Sequence, residues 1–159
     1  RRGALMSSAA SAHDSRVSAH DVAAYIIEKL GAVTTMKLQK LLYYSQGWSL
    51  AWDEEPLFDE EIQAWANGPV VYDVFKLHRG EFKVNSWSAG NSNRLTPDQK
   101  ETVDAVIEAY GALSGQQLSE KTHSERPWLE ARGDAPMGSY SSTPVSLDTM
   151  QEYFGSLIQ

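Results

Sequence analysis

The stretch "KLQKLLYYSQGWSLAW", residues 37–52, spreads four aromatic rings and four leucines over nearly the whole circumference of a helix. At 100° per residue, Leu38, Leu41, Leu42, Ser45, Ser49 and Trp52 share one stripe, an ordinary core face. Tyr43 and Leu50 form a second stripe beside Gln39 and Gln46. Lys37, Lys40, Gly47 and Ala51 define the one side compatible with solvent. The helix is expected from about Met36 to Trp52, capped by Thr34 or Thr35 and broken by "DEEP". Two apolar stripes imply neighbours on two sides, and the second, Tyr43 with Leu50, is expected to be intramolecular and to pack on the segment containing Trp65. Gly47 costs up to ~1 kcal/mol of helix stability relative to Ala, so another backbone is expected to approach closely there.

Working outward, "SAHD" pairs a Ser18 cap with Asp21 at the third helical position, and an apolar pattern follows over 19–30 before Gly31. In "PLFDEEIQAWANGPVVYDVFKLHRG", residues 56–80, alternation over 61–66 predicts a short strand. "NGP" then turns the chain, with Pro69 set for the first turn of a helix over 69–79. "FKV" at 82–84 is expected to pair with 61–66, and 85–94 reads as a polar loop carrying Trp87. "TPDQ" opens a helix over 97–112 with a Thr96 and Gln99 capping box. A shorter helix over 115–121, another ending at Gly133 and a last one on Leu147, Met150, Tyr153 and Phe154 complete the chain. The expected fold is mainly α: a single compact helical domain of about six helices with a small β ribbon.

A chain of 159 residues suits one domain with a sizeable core. Arg1 to Leu5 precede Met6, a candidate natural start, so residues 1–16 are read as an added leader and a frayed lead-in, and 17–159 as the domain. The net charge of -7 opposes sequence-independent attraction to phosphates, which argues against nucleic-acid coating and favours a cationic partner. With no Cys and no apolar run of membrane-spanning length, the cytoplasm is the default compartment.

"THSE", with His123, Ser124 and Glu125, is the strongest catalytic candidate, yet adjacent side chains rarely adopt triad geometry. Capping explains the same residues: Thr122 opens the next helix with Glu125 three places on, and His123 meets a helix C-terminus. His123 and Glu125 offer only two metal ligands, and the acids of 53–61 read as a solvated turn. No cofactor and no metal site are expected.

Three stretches, "TTMKLQKLLYYSQGWSLAW", "PLFDEEIQAWANGPVVYDVF" and "LSEKTHSERPWLEAR", together resemble the Panacea domain, the SocA-like antitoxin family, over roughly residues 18–156. The residues carrying the resemblance are Lys37, Leu38, Gln39, Lys40, Tyr43, Tyr44, Gln46, Gly47 and Trp48, then Trp65, Gly68 and Pro69, then Thr122, His123, Glu125 and Trp128. The resemblance implies a helical, non-enzymatic antitoxin encoded beside a toxin, often on phage or other mobile DNA, that neutralises its cognate toxin by direct contact. The alternatives are an adaptor that delivers the toxin to a cellular protease, or an enzyme using the His123 and Glu125 region. Interface energy concentrates in aromatic anchors, which makes Trp48, Trp65, Trp87 and Tyr140 the candidate partner-binding residues. Trp48 and Trp65 fit the core more readily than an interface, whereas Trp87 fits both equally. The acids of 53–61 are placed to steer a basic toxin.

Overall fold

The computed structural model describes residues 17–158, and the readings made for 1–16 lie outside them. The described residues form a mainly α domain of seven helices with two small antiparallel sheets. In chain order these are α1 (Ala19–Leu30), β1 (Val33–Thr34), α2 (Thr35–Asp53), β2 (Ile62–Trp65), β3 (Gly68–Val71), α3 (Tyr72–His78), β4 (Lys83–Val84), α4 (Pro97–Tyr110), α5 (Gly115–Thr122), α6 (Arg126–Arg132) and α7 (Leu147–Ser156). A 3-10 turn covers Ser92–Arg94.

Local chemistry sets the helix starts. Ser18 and Asp21, like Thr96 and Gln99, form reciprocal capping boxes, and Pro97 occupies the first turn of α4. The Thr34 side chain accepts from the Lys37 backbone N–H at 3.1 Å and opens α2. Glu54, with φ at 60°, closes it in the left-handed region.

Two strand expectations change. Residues 69–71 are strand, not the first turn of a helix, because β2 and β3 pair from Ile62↔Val71 to Trp65↔Gly68 around a two-residue turn. Pro69 lacks an N–H and sits in β3 at the edge of this sheet, where a missing donor is tolerated. The 82–84 segment pairs with β1 instead of 61–66, through Val33↔Val84 and Thr34↔Lys83. A third segment joins β2, with Ala64 N–H donating to Thr143 O at 2.8 Å and Val145 N–H to Ile62 O at 2.7 Å.

The third correction concerns α2. Residues 38–47 are all buried, so the expected solvent side is absent there; Lys37 is half-exposed, and Ala51 packs against the core. α7, α5, α4 and β3 enclose the helix. Leu38, Leu41 and Leu42 are fully buried, each contributing roughly 1.5–3 kcal/mol by the usual area relation. The second stripe is intramolecular too. Tyr43 meets Phe154 of α7 edge-on at 5.7 Å, rather than packing on the strand that carries Trp65.

Enclosure forces the polar residues of α2 to find partners. Gln46 Oε1 accepts from the backbone N–H groups of Leu57 (2.7 Å) and Phe58 (3.2 Å), and its Nε2 donates to Phe58 O (2.9 Å). One heptad earlier, Gln39 Oε1 accepts from Val71 N–H (2.7 Å) while Nε2 donates to Val71 O (3.2 Å). Gln39 thus completes the outer edge of β3 as a neighbouring strand would. A buried backbone group left unpaired costs about 1–3 kcal/mol, so these amides fix where two irregular segments lie.

Gly47 is explained by a side chain rather than a backbone. A Cβ there would come within 2.2 Å of the Phe154 ring, which also packs on Tyr44 and Trp48. Gly155 on α7 has nothing within 4 Å of the same construction. Gly47→Ala should therefore destabilise the fold by about 1–3 kcal/mol despite its better helix propensity. Gly155→Ala should be neutral or stabilise by up to ~1 kcal/mol. Urea melts of the two variants check this, and a stabilising Gly47→Ala would contradict the packing.

Candidate partner-binding site

The three stretches that carry the family resemblance meet around α2. The carboxylate of Glu125, at the start of α6, accepts from Tyr43 Oη at 3.0 Å and from Tyr44 Oη at 2.9 Å. Trp128 Nε1 donates to Trp65 O at 2.8 Å, joining α6 to β2. Gly68, with φ at 121°, lies so close to Lys40 that a Cβ would come within 2.5 Å of Lys40 Cε and 3.0 Å of Thr122 Oγ1. His123 stacks on Trp128 with ring centroids 4.3 Å apart, and its Nε2 is buried without a hydrogen-bond partner. These residues are turned inward and hold the fold.

Burial dominates the electrostatics of this cluster. It pushes the Glu125 carboxyl up, against the opposing pull of the Tyr44 and Tyr43 hydrogen bonds and of Lys121. Tyr43 and Tyr44 are driven well above the ordinary phenol range by burial first and by the Glu125 charge second. Lys40 is 2% exposed, and among the described residues no acid pairs with its ammonium. Desolvation brings it down to about 7. Burial also lowers His78 and His123, and Lys40 acts on both in the same direction. Gln39 presents its amide N–H to His78 Nε2 at 3.0 Å, which makes that nitrogen an acceptor.

The capping expected of Thr122 and Glu125 is replaced by other contacts, while His123 does stand at a helix C-terminus. Thr122 ends α5 and its hydroxyl donates to Ser119 O, while Glu125 is the cap residue of α6 without a side-chain capping bond. Ser124 Oγ donates to Lys121 O on the surface. His123, Ser124 and Glu125 thus turn to three different sites.

The four aromatic candidates occupy separate places. Trp48 is half-buried, stacked on Trp52 at 4.8 Å, and donates to Tyr110 Oη at 3.0 Å. Trp65 is half-buried against Phe75 at 4.7 Å, with its Nε1 donating to Gln63 Oε1. Tyr140 is 83% exposed on the loop after α6. Buried Arg132 anchors that loop through the carbonyls of Ala64, Pro136 and Ser139. Trp87 is half-buried and packs on the core, so its loop serves the fold more than expected. Its Nε1 donates to His20 Nδ1 at 3.0 Å, and its ring meets His78 edge-on at 6.2 Å.

Two grooves flank Trp87. One, of about 360 Å³, lies against Leu77, Glu81, Lys83 and Val84; the other, of about 420 Å³, lies against Ile27, Glu28 and Ser92. Leu77, 53% exposed, lines the first, and Phe82, 77% exposed, lies in the chain between two of its lining residues without lining it. Sequence reading singled out neither, since it read "FKV" only as a strand partner for 61–66. The Gly80 turn just before it was the available signal.

The family model described as "Antitoxin SocA-like, Panacea domain" matches residues 38–129, more than half of the chain. The chain belongs to the SocA-like Panacea antitoxin family. Antitoxin SocA of Caulobacter vibrioides (strain NA1000 / CB15N) is 30% identical over 129 residues, which covers 70% of this chain and 69% of that protein. No solved structure matches. The Panacea match spans most of α2, then β2, β3, α3, β4, α4, α5 and the first half of α6, and so contains the Glu125 clasp and Trp87, but not the α1 residues that line the second groove. Among the described residues no helix is long and apolar enough to cross a membrane.

Lys40 yields a pH test. Its folded-state value of about 7 lies below the unfolded 10.5, so between these values the unfolded chain binds more protons and stability rises with pH. Below about 7 the cost of burying the cation is complete. Lys40→Met removes that cost, so its stability advantage over wild type should be largest near pH 7 and shrink towards pH 10. Subtracting the two melting curves cancels the buried tyrosines, which both proteins share. A difference independent of pH would contradict the buried, unpaired cation.

Proposed function

We propose that this Panacea domain is an antitoxin that silences a cognate toxin by forming a stable complex of fixed stoichiometry with it. The reading rests on the family match, which makes a toxin the general class of partner. What favours contact over turnover is the fate of the residues with chemical potential. The Glu125 carboxylate is taken up by Tyr43 and Tyr44, Ser124 by a backbone carbonyl, and His123 is stacked on Trp128. A nucleophile, a base and its orienting acid must converge within hydrogen-bond reach, and these three diverge. The rigid interior instead supplies a scaffold for an outer face, which suits occlusion of a toxin or restraint of it in an inactive conformation. The cytoplasm, where a toxin made by the same cell would act, is the compartment this reading requires.

The test is co-expression with the product of the neighbouring gene. Growth arrest by that product should be relieved only when the two proteins are present in comparable amounts, and they should co-purify at constant ratio. Rescue by substoichiometric amounts, or rescue with no complex at micromolar concentrations, would overturn direct neutralisation.

A further inference from the structure

We infer that Trp87 is a pH-operated latch: neutral His20 holds its indole and keeps residues 85–89 closed against α1, and protonated His20 lets them go. This is a property of the fold and does not depend on the direct-contact reading above.

The chemistry of the bond makes it a switch. An indole N–H can only donate, and His20 Nδ1 accepts it at 3.0 Å. The two rings lie within 16° of parallel with centroids 6.1 Å apart, so at that nitrogen separation they meet edge to edge. A neutral imidazole keeps one acceptor nitrogen, whereas an imidazolium carries a proton on both. Once His20 is protonated, no rotation of its ring restores the bond, and two N–H groups face each other instead. Histidine is the side chain whose ordinary charge change falls between about pH 5 and 8. His20 is half-buried in the first turn of α1, beside Asp21 and next to Ala19, whose N–H is taken by Glu60.

The other wall behind Trp87 is fixed. His78 is 4% exposed and meets the Trp87 ring edge-on at 6.2 Å. The Gln39 amide is oriented by its Oε1 bond to Val71 N–H, so it turns an N–H towards His78 Nε2 at 3.0 Å. Burial first, with help from Lys40, holds His78 below the usual imidazole range against the pull of its own backbone and of Glu81. His78 therefore stays neutral as the support, and His20 is the group that responds.

The segment is free to move at one end only. Asn91 N–H donates to Asp21 Oδ1 at 2.7 Å, Ser92 Oγ donates to Glu28 Oε2 at 2.7 Å, and Arg94 lies 3.5 Å from Asp21. Gly90 sits so close to the His20 carbonyl that a Cβ would come within 2.0 Å of it. Residues 90–94 are thus pinned to α1. Among the described residues, the Trp87 bond to His20 is the one side-chain hydrogen bond made by residues 85–89. Residues 85–88 line both grooves, so releasing Trp87 reshapes both at once.

The test follows the five indole N–H signals of the full chain by two-dimensional NMR between about pH 8 and 5, with Trp87→Phe to assign Trp87. In wild type the Trp87 signal should move along a titration curve shared with the His20 ring. At the acid end its N–H should exchange with solvent about tenfold faster than in His20→Asn. The Asn variant supplies an amide oxygen that accepts without titrating, so its Trp87 signal should hold its position throughout. The Trp48 and Trp65 indoles, bonded to Tyr110 and Gln63, serve as internal references. A Trp87 signal that stays fixed in wild type overturns the latch. Equal movement in His20→Asn overturns it too, since the response would then belong to His78.

Discussion

A helix without a solvent face must satisfy every polar group it carries, and α2 meets that demand by bonding to the rest of the chain. Gln46 holds the Leu57 and Phe58 backbone, Gln39 closes the free edge of β3, and Tyr43 with Tyr44 binds the Glu125 carboxylate. Each bond contributes modestly when made and costs more when broken, so together they specify one arrangement of hairpin, irregular segment and α6 around the helix. Phe154 seals the remaining side by occupying the space that Gly47 leaves. Lys40 is the exception. Its ammonium is buried beside Gly68 with no acid partner among the described residues, a cost the surrounding packing has to carry.

Much of this was legible in the sequence where the signal is local. Ser18 with Asp21 and Thr96 with Gln99 announce helix starts by side-chain chemistry that acts over three residues, and both capping boxes form. The leucine stripe of α2 likewise reads directly as core. Features decided by long-range pairing were misread. Val70 and Val71 suit a helix or a strand by composition, and only β2 together with the Gln39 amide makes them strand. Lys40 looked solvent-compatible because its burial depends on a hairpin that brings Gly68 against it. The 82–84 strand was expected beside 61–66 because nothing local in the sequence distinguishes that partner from β1.

The division of labour follows from geometry. The residues that carry the Panacea resemblance mostly face inward. Lys37 marks the boundary, half-exposed yet tied by its ammonium to Gly111 O at 2.6 Å. The motif that assigns the family reports chiefly on the scaffold.

Hydrogen exchange of the free chain and of its complex with the neighbouring gene product separates scaffold from surface most directly, since exchange reads local opening segment by segment. In the free chain, α2 should exchange slowest, with Leu57 and Phe58 protected although they lie outside helices and strands. On complex formation, new protection should appear on surface segments outside α2, with α2 unchanged. Fast exchange of α2 in the free chain, or loss of its protection in the complex, would contradict the account.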